Sequence, residues 1–362
     1  MNPDPARLAR ARARMGELGI DALLLSAGPD LVYLTGYEAM PLERLTMLVV
    51  PPEGEPVLLV PRLEVPRVRE QPDLFVIEPW DETVDPIARV ASLAGDARRV
   101  AIGDQTWARF VLALQRALGD ATFLPSSSVM APLRAVKSAT EVDALRRAAH
   151  AVDAIAAEMR TRPFAGRREL DVHRELVERM LEAGHERANF AIVAAAGNAA
   201  SPHHEPAARV IAEGDVVLCD FGGTMDGYCS DITRMFVVGE PSAEVRDVYA
   251  VLVEAQEAGV RAATVGTPCA AVDAAARRVI ADAGYGEQFV HRTGHGIGVE
   301  AHEDPYLVAG NGEALVAGHA FSVEPGIYLP GRFGLRLEDI VVATGHGPER
   351  LNGAARDLAV VG

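Results

Sequence analysis

The segment VVLCDFGGTMDGYCSDITRMFVV, residues 216–238, sets two aspartates in otherwise apolar sequence. Apolar runs flank Asp226-Gly227, a pair that favours the two-residue turn of a β-hairpin. A turn there puts Thr224 opposite Cys229 and Gly222 opposite Asp231. Asp220, two residues from Gly222, then projects from the same face as Asp231. Diagonal neighbours of this kind have alpha carbons about 7–8 Å apart, so a metal pair fits between their side chains. Two carboxylates on one face amid apolar sequence are costly unless a cation neutralises them. The other reading is an edge hairpin with solvent-facing aspartates, and this segment alone admits both.

Four more segments carry chemistry. HRTGHGIGVEAHEDP holds His291, His295 and His302, with glycines around His295 that suit close backbone approach. FSVEPGIYLP ends an apolar run on Glu324, and buried glutamates are rare unless paired. GLRLEDIVVATG carries Glu338 in an alternating strand pattern with Arg336 on the same face, so a plain salt bridge between them is the competing reading. ASPHHEPAARV presents His203 and His204 in a proline-bounded loop, one of the pair being incidental. Together these segments supply four carboxylates and several imidazoles without a thiolate. Such an oxygen-rich set suits Mn²⁺, Co²⁺, Zn²⁺ or Fe²⁺ and is too poor in sulfur for a structural zinc site. Four carboxylates also balance the charge of two divalent ions.

The elements that hold these residues fall in the second part of the chain. With 362 residues, two domains are expected. Residues 1–130 read as a compact α/β domain: a helix over 5–18, strands over 22–25, 45–50, 57–60 and 99–102, and a helix over 107–118. Residues 32–34 lie in a turn-rich stretch ending at Gly36. No phosphate-cradling glycine loop occurs here. Pro, Ser and Thr cluster near the join, giving a linker over 131–139. The second domain, 140–362, opens with a helix to about residue 160, with Thr140 as N-cap and Asp143 three residues on. A second helix covers 169–183 and ends at Gly184. Strands and turns follow, with further helices over 243–262 and 268–283. No internal repeat of 20–50 residues is evident.

Composition narrows the function classes. A net charge of −16 argues against a nucleic-acid surface, which needs clustered Lys and Arg. The longest apolar runs fall far short of the roughly 18 residues a membrane span requires. The Arg/Ala-rich N-terminus carries acidic residues and prolines and reads as an amphipathic surface helix, not a targeting segment. Cys219, Cys229 and Cys269 form no CxxC spacing, which suits free thiols in a reducing, cytoplasmic setting.

Taken in order, DFGGTMDGYCSDITR, HRTGHGIG, SVEPGIY and RLED resemble the pita-bread (M24-type) metallopeptidase family, and specifically its Xaa-Pro dipeptidase (prolidase) and aminopeptidase P branch. The resemblance spans residues 140–362. The first 130 residues look like the creatinase/prolidase-type N-terminal domain. The fold implied is α/β (α+β), with that domain followed by a C-terminal pita-bread catalytic domain. By position, Asp220 would bind one metal and His295 the other. Asp231 and Glu338 would bridge the two, and Glu324 would complete the His295 site. His203 and His302 match substrate-side catalytic histidines, which would stabilise the tetrahedral oxyanion or position the proline carboxylate side, and His291 matches a histidine near the pocket.

The activity implied is dimetal hydrolysis of the Xaa-Pro bond in small proline-containing peptides. Glu324 would act as proton shuttle, and Mn²⁺ is the expected metal, with Co²⁺ or Zn²⁺ as alternatives. A homodimer is also implied. The ligand set is intact, against an inactive peptide-binding relative. A dipeptidase must hold a free carboxylate, which calls for a placed cation. The segment ahead of Glu324 has no arginine, so Arg336 and Arg44 (the latter beside Glu38 in the N-terminal domain) are the substrate-binding candidates. Aminopeptidase action on longer peptides is the close alternative.

Overall fold

The computed structural model describes residues 3–362, which divide between Arg134 and Ala135 into two compact units. In the first unit the strands are β1 (Ala22–Ser26), β2 (Met47–Val50), β3 (Val57–Pro61), β4 (Val76–Trp80), β5 (Arg99–Ile102) and β6 (Thr122–Pro125), in the sheet order β4-β3-β2-β1-β5-β6. β1 is parallel to β5 and antiparallel to β2. Its ALLL run is buried throughout, as expected of a strand covered on both faces. The helices are α1 (Pro5–Leu18), α2 (Pro29–Thr35), α3 (Pro86–Ala94), α4 (Ala108–Ala117) and α5 (Ser127–Ala135). Leu24, Met47, Leu59 and Val100 of the sheet pack with Val90 of α3 and Leu114 of α4.

Three differences from the sequence reading have local causes. Residues 32–34 belong to α2, which Gly36 ends at φ +70°. β4 is missed because VIEPW is half-exposed and does not alternate. The stretch assigned to a linker is largely helical, α5 running to Ala135 with Pro132 inside it.

The second unit begins with α6 (Ala139–Met159) and α7 (Glu169–Glu182). Ser138, not Thr140, caps α6. Its Oγ accepts the Glu141 N–H at 3.4 Å, and Glu141 Oε2 accepts the Ser138 N–H at 2.8 Å. This reciprocal pair satisfies two otherwise orphaned donors, which is more than a Thr140 cap would do. There follow β7 (Arg187–Ala195), β8 (Val216–Met225), β9 (Tyr228–Cys229), β10 (Ile232–Val238), α8 (Ala243–Ala262) and α9 (Cys269–Asp282). The chain closes with β11 (Gly294–Gly296), β12 (Glu303–Leu307), β13 (Ala320–Val323), β14 (Gly326–Leu329), β15 (Phe333–Arg336), β16 (Asp339–Thr344), β17 (Gly347–Arg350) and β18 (Ala359–Val361).

One sheet runs β18-β10-β8-β7 with β9 on β8, a second runs β12-β11-β13-β16-β17, and β14 pairs with β15. Val152, Ile155 and Met159 of α6 and Leu176 and Met180 of α7 cover Val193, Val217, Phe221 and Phe236 of the first sheet. Val260 near the end of α8 and Cys269 and Val272 of α9 pack with Phe321, Val323 and Val341 of the second. The two helix pairs follow one plan, down to the positive-φ glycines on either side of the second helix, Gly166 and Gly184 about α7 and Gly266 and Gly284 about α9. The sequence hides it because only burial pattern and turn chemistry recur. No helix is long and apolar enough to cross a membrane.

Candidate active site

The hairpin forms in the register its turn demands. Asp226 (φ +52°) and Gly227 (φ +78°) make the turn, Thr224 faces Cys229, and Asp220 faces Thr233. Gly222 lets the strands close: a Cβ there would sit 2.1 Å from the Ser230 carbonyl oxygen. Asp220 and Asp231 both reach one pocket, and both are buried, so the edge-hairpin alternative is excluded.

From the second sheet comes His295, in the middle of β11. Its flanking glycines are required by contact: a Cβ on Gly294 would meet Ser322 O at 1.9 Å, and one on Gly296 would meet Asp304 O at 2.2 Å. The Nδ1–H of His295 donates to Gly296 O at 3.1 Å, so Nε2 is the atom turned to the carboxylates. Nε2 lies 3.2 Å from Glu324 Oε1 and 3.8 Å from Asp231 Oδ2. The Ser322 hydroxyl accepts the His295 N–H and donates to Glu324 Oε1, tying the two side chains together.

Glu338 enters between β15 and β16. Thr233 Oγ1 donates to it at 2.7 Å, and the two residues form a bridge between β10 and this turn. Arg336 does not pair with Glu338. The chain leaves one sheet at Arg336 and joins another at Asp339, so these positions no longer share a face. Arg336 instead donates to Asp220, to Tyr328 Oη at 2.7 Å, to Pro202 O at 3.2 Å and to Thr233 Oγ1 at 3.3 Å.

The electrostatics call for a cation. Burial pushes the carboxyls of Asp231 and Glu338 well above the usual carboxylate range, helped by the charge of Glu338 on Asp231 and of Glu324 and Asp220 on Glu338. Burial raises Asp220 as well, against the pull of Arg336. Burial also acts upward on Glu324, but the hydrogen bond and charge of His295 outweigh it and hold Glu324 at about 2. Among the described residues, Asp220 Oδ1 and Asp231 Oδ1 are buried without a hydrogen-bond partner. One ligand atom each from Asp231, His295 and Glu338 lie within 4.8 Å of one another. Orphaned acceptors, crowded anions and an imidazole nitrogen aimed at them fit a divalent metal.

These residues line a cavity of about 600 Å³ that also takes in His203, His291, Arg292 and His302, with Phe190, Ile192, Pro202 and Val308 as its apolar wall. His302 stacks near His295, ring centroids 3.8 Å apart. Partial burial and then the neighbouring His295 lower its pKa to about 4, so it is a neutral imidazole at pH 7. Both nitrogens of His291 are engaged, Nδ1–H with Arg292 O at 2.7 Å and Nε2 with the Tyr328 hydroxyl at 2.9 Å. His203 and His204 divide their roles. His203 faces the cavity, while His204 donates to the fully buried Glu169, which also accepts from Ala195 N, Asn198 and Ala207 N. Arg44 lies in the first unit, where it pairs with Glu43 and Glu82.

Motif reading passes over several residues. Tyr328 lies in the GIY run, and its role shows only through Arg336. Lys137 is the only lysine of the chain, every other basic side chain of the Lys/Arg class being arginine, and that singularity is a usable signal. It is buried against Glu303, next to His302, at 2.6 Å. The three cysteines are free and buried.

Comparison with known proteins agrees with this geometry. Residues 143–345 match the model of metallopeptidase family M24, and residues 7–136 match the creatinase/prolidase N-terminal domain. The chain is 43% identical to a probable dipeptidase PepE of Mycobacterium tuberculosis, over 98% of this chain and 96% of the relative. It is 32% identical to an Xaa-Pro dipeptidase of Lactobacillus delbrueckii, over 95% and 96%. The crystal structure of dipeptidase PepE from Mycobacterium ulcerans superposes with a TM-score of 0.90 at 42% identity, covering 98% of this chain and 97% of that one. With its metal-suited carboxylate and histidine cluster at the junction of two sheets, the chain belongs to metallopeptidase family M24 and is an enzyme of the pita-bread fold.

Proposed function

We propose that this enzyme is a dimetal Xaa-Pro dipeptidase. The observation that carries the reading is the set of buried, partnerless aspartate oxygens facing His295 and Glu338 in a cavity sized for a small peptide. Asp220 would hold one ion, His295 and Glu324 the other, and Asp231 and Glu338 both. Mn²⁺ suits this oxygen-rich set best, with Co²⁺ or Zn²⁺ as substitutes. When bound, the ions supply Lewis acidity and lower the pKa of water at the site.

The protein's own groups do the rest. Glu324 has Oε1 tied to Ser322 and His295, leaving Oε2 to receive the proton lost by the attacking water. The water oxygen bonds to the Xaa carbonyl carbon, and the C–N bond to proline then breaks. Glu324 passes its proton to the departing proline nitrogen. His302, a neutral imidazole, and His203 donate N–H bonds to the carbonyl oxygen as it gains charge. Proline carries no amide N–H, so the apolar wall of Phe190, Ile192 and Val308 selects its tertiary amide by fit, with no donor left unpaired. The free buried thiols suit a reducing, cytoplasmic compartment.

A cavity of about 600 Å³ offers more space than a dipeptide fills, which favours Xaa-Pro aminopeptidase action as the second reading. Hydrolysis of Leu-Pro against Leu-Pro-Gly in Mn²⁺ separates them. Turnover of Leu-Pro with little of the tripeptide is expected; preferred release of leucine from the tripeptide would move the enzyme to the aminopeptidase class.

A further inference from the structure

A small peptide brings at least one carboxylate into the cavity, and a desolvated carboxylate is costly without a cationic, hydrogen-bonding partner. Two arginines line the cavity, Arg336 and Arg292. Arg336 is spent. It is 3% exposed, and four of its five N–H donors are committed, to Thr233, Pro202, Tyr328 and Asp220. Its charge already answers Asp220.

Arg292 is in the opposite condition. Its guanidinium lies over the Tyr306 ring, 4.4 Å from the centroid, and makes no hydrogen bond or ion pair among the described residues. The ring contact holds the group in place and leaves its N–H donors free, and a guanidinium with free donors can take a carboxylate in two hydrogen bonds. The backbone on either side is fixed. His291 O accepts from Arg277 at 2.8 Å, Arg292 O accepts from His291 Nδ1, and Thr293 N donates to buried Asp273 at 3.0 Å. Elsewhere in the cavity lining, Phe190, Ile192 and Val308 are apolar and offer a carboxylate no donor.

We propose that Arg292 is the residue that recognises the substrate's carboxylate, and so the one by which the pocket reads peptide length or charge. This rests on the peptidase reading above. The carboxylate has two sources, the free C-terminus of a dipeptide or an acidic side chain at Xaa.

Three peptides distinguish them in the Mn²⁺-loaded enzyme: Leu-Pro, Leu-Pro amide and Glu-Pro amide, compared between the native protein and Arg292→Gln. A rise in KM of about 10- to 100-fold for Leu-Pro, with no such rise for Leu-Pro amide and with kcat held within about twofold, is expected for recognition of the C-terminus. The same rise confined to Glu-Pro amide supports the proposal with the side chain as source. Arg292→Lys, which keeps the charge but not the fork, should recover part of the loss. Equal changes for all three peptides, or none, would overturn the proposal. Calorimetric Kd values for the same peptides are read in parallel. If the native enzyme cuts none of them, the peptidase reading fails, while a selective loss of carboxylate binding in Arg292→Gln would still uphold the role of Arg292 and its absence would overturn it.

Discussion

At the residue scale the site is defined by what its atoms lack. Asp220 and Asp231 each keep one buried oxygen without a donor, and Asp231 and Glu338 repel one another across a space that His295 Nε2 also faces. Replacing Asp231 or Glu338 with Ala should therefore remove metal and activity together, with kcat/KM down at least about a thousandfold. Metal content by atomic emission and Leu-Pro hydrolysis check this; a variant that keeps full turnover with metal lost would refute it. The aspartate pair was legible in the sequence because Asp226-Gly227 allows one register, and a register fixes which side chains share a face. The partner of Arg336 was not. Period-2 logic joins Arg336 to Glu338, but the strand breaks between them, and only the three-dimensional path shows Arg336 turned to Asp220. Arg292 was invisible for a related reason: an arginine beside a histidine motif announces nothing until its guanidinium is seen over Tyr306 with no hydrogen bond or ion pair among the described residues.

At the scale of elements, the site is a meeting of strands that belong to different sheets, and buried ion pairs hold the meeting points. Arg234 of β10 donates to Thr233 O at 2.9 Å, to Glu338 O at 2.6 Å and to Asp339 Oδ1 at 2.7 Å, fixing β10 against the turn that carries Glu338. Lys137 does the same for the His302 segment through Glu303. The space there is tight, since a Cβ on Gly298 would lie 2.3 Å from Glu303 Oε1 and 3.1 Å from Lys137 Cε. A guanidinium needs more room than an ammonium. Lys137→Arg should thus cost about 1–3 kcal/mol by overpacking and lower kcat/KM roughly tenfold by shifting His302. Thermal unfolding and Leu-Pro kinetics measure both, and native values for each would show that the pair does not position the segment. The four helices of the second unit and its β8–β10 hairpin were readable from caps and turns, while most of the short strands after α9 were not. In the first unit, β4 is missed because it is half-exposed and does not alternate, and α3 because it is short, although Ile87, Val90, Ala91 and Ala94 fall at helical spacing on the core side. For α3 the cue was present in Asp85-Pro86, where Asp85 accepts the Ile87 N–H at 2.9 Å.

At the scale of the molecule, every proposed metal ligand and pocket histidine comes from Ala135–Gly362, while the first unit builds a separate core. The catalytic unit repeats one plan, two helices over a sheet, and draws ligands from both copies: the aspartates from the first sheet, His295 and Glu324 from the second. Two-part construction explains why no single motif is decisive and why the order of all of them is. It also places the central claim on the metals. That claim is tested most directly by stripping the enzyme with chelator and following Leu-Pro hydrolysis as Mn²⁺ is returned. No turnover in the stripped enzyme is predicted, with activity restored as binding approaches about two ions per chain. Turnover that persists in the metal-free protein would contradict the account.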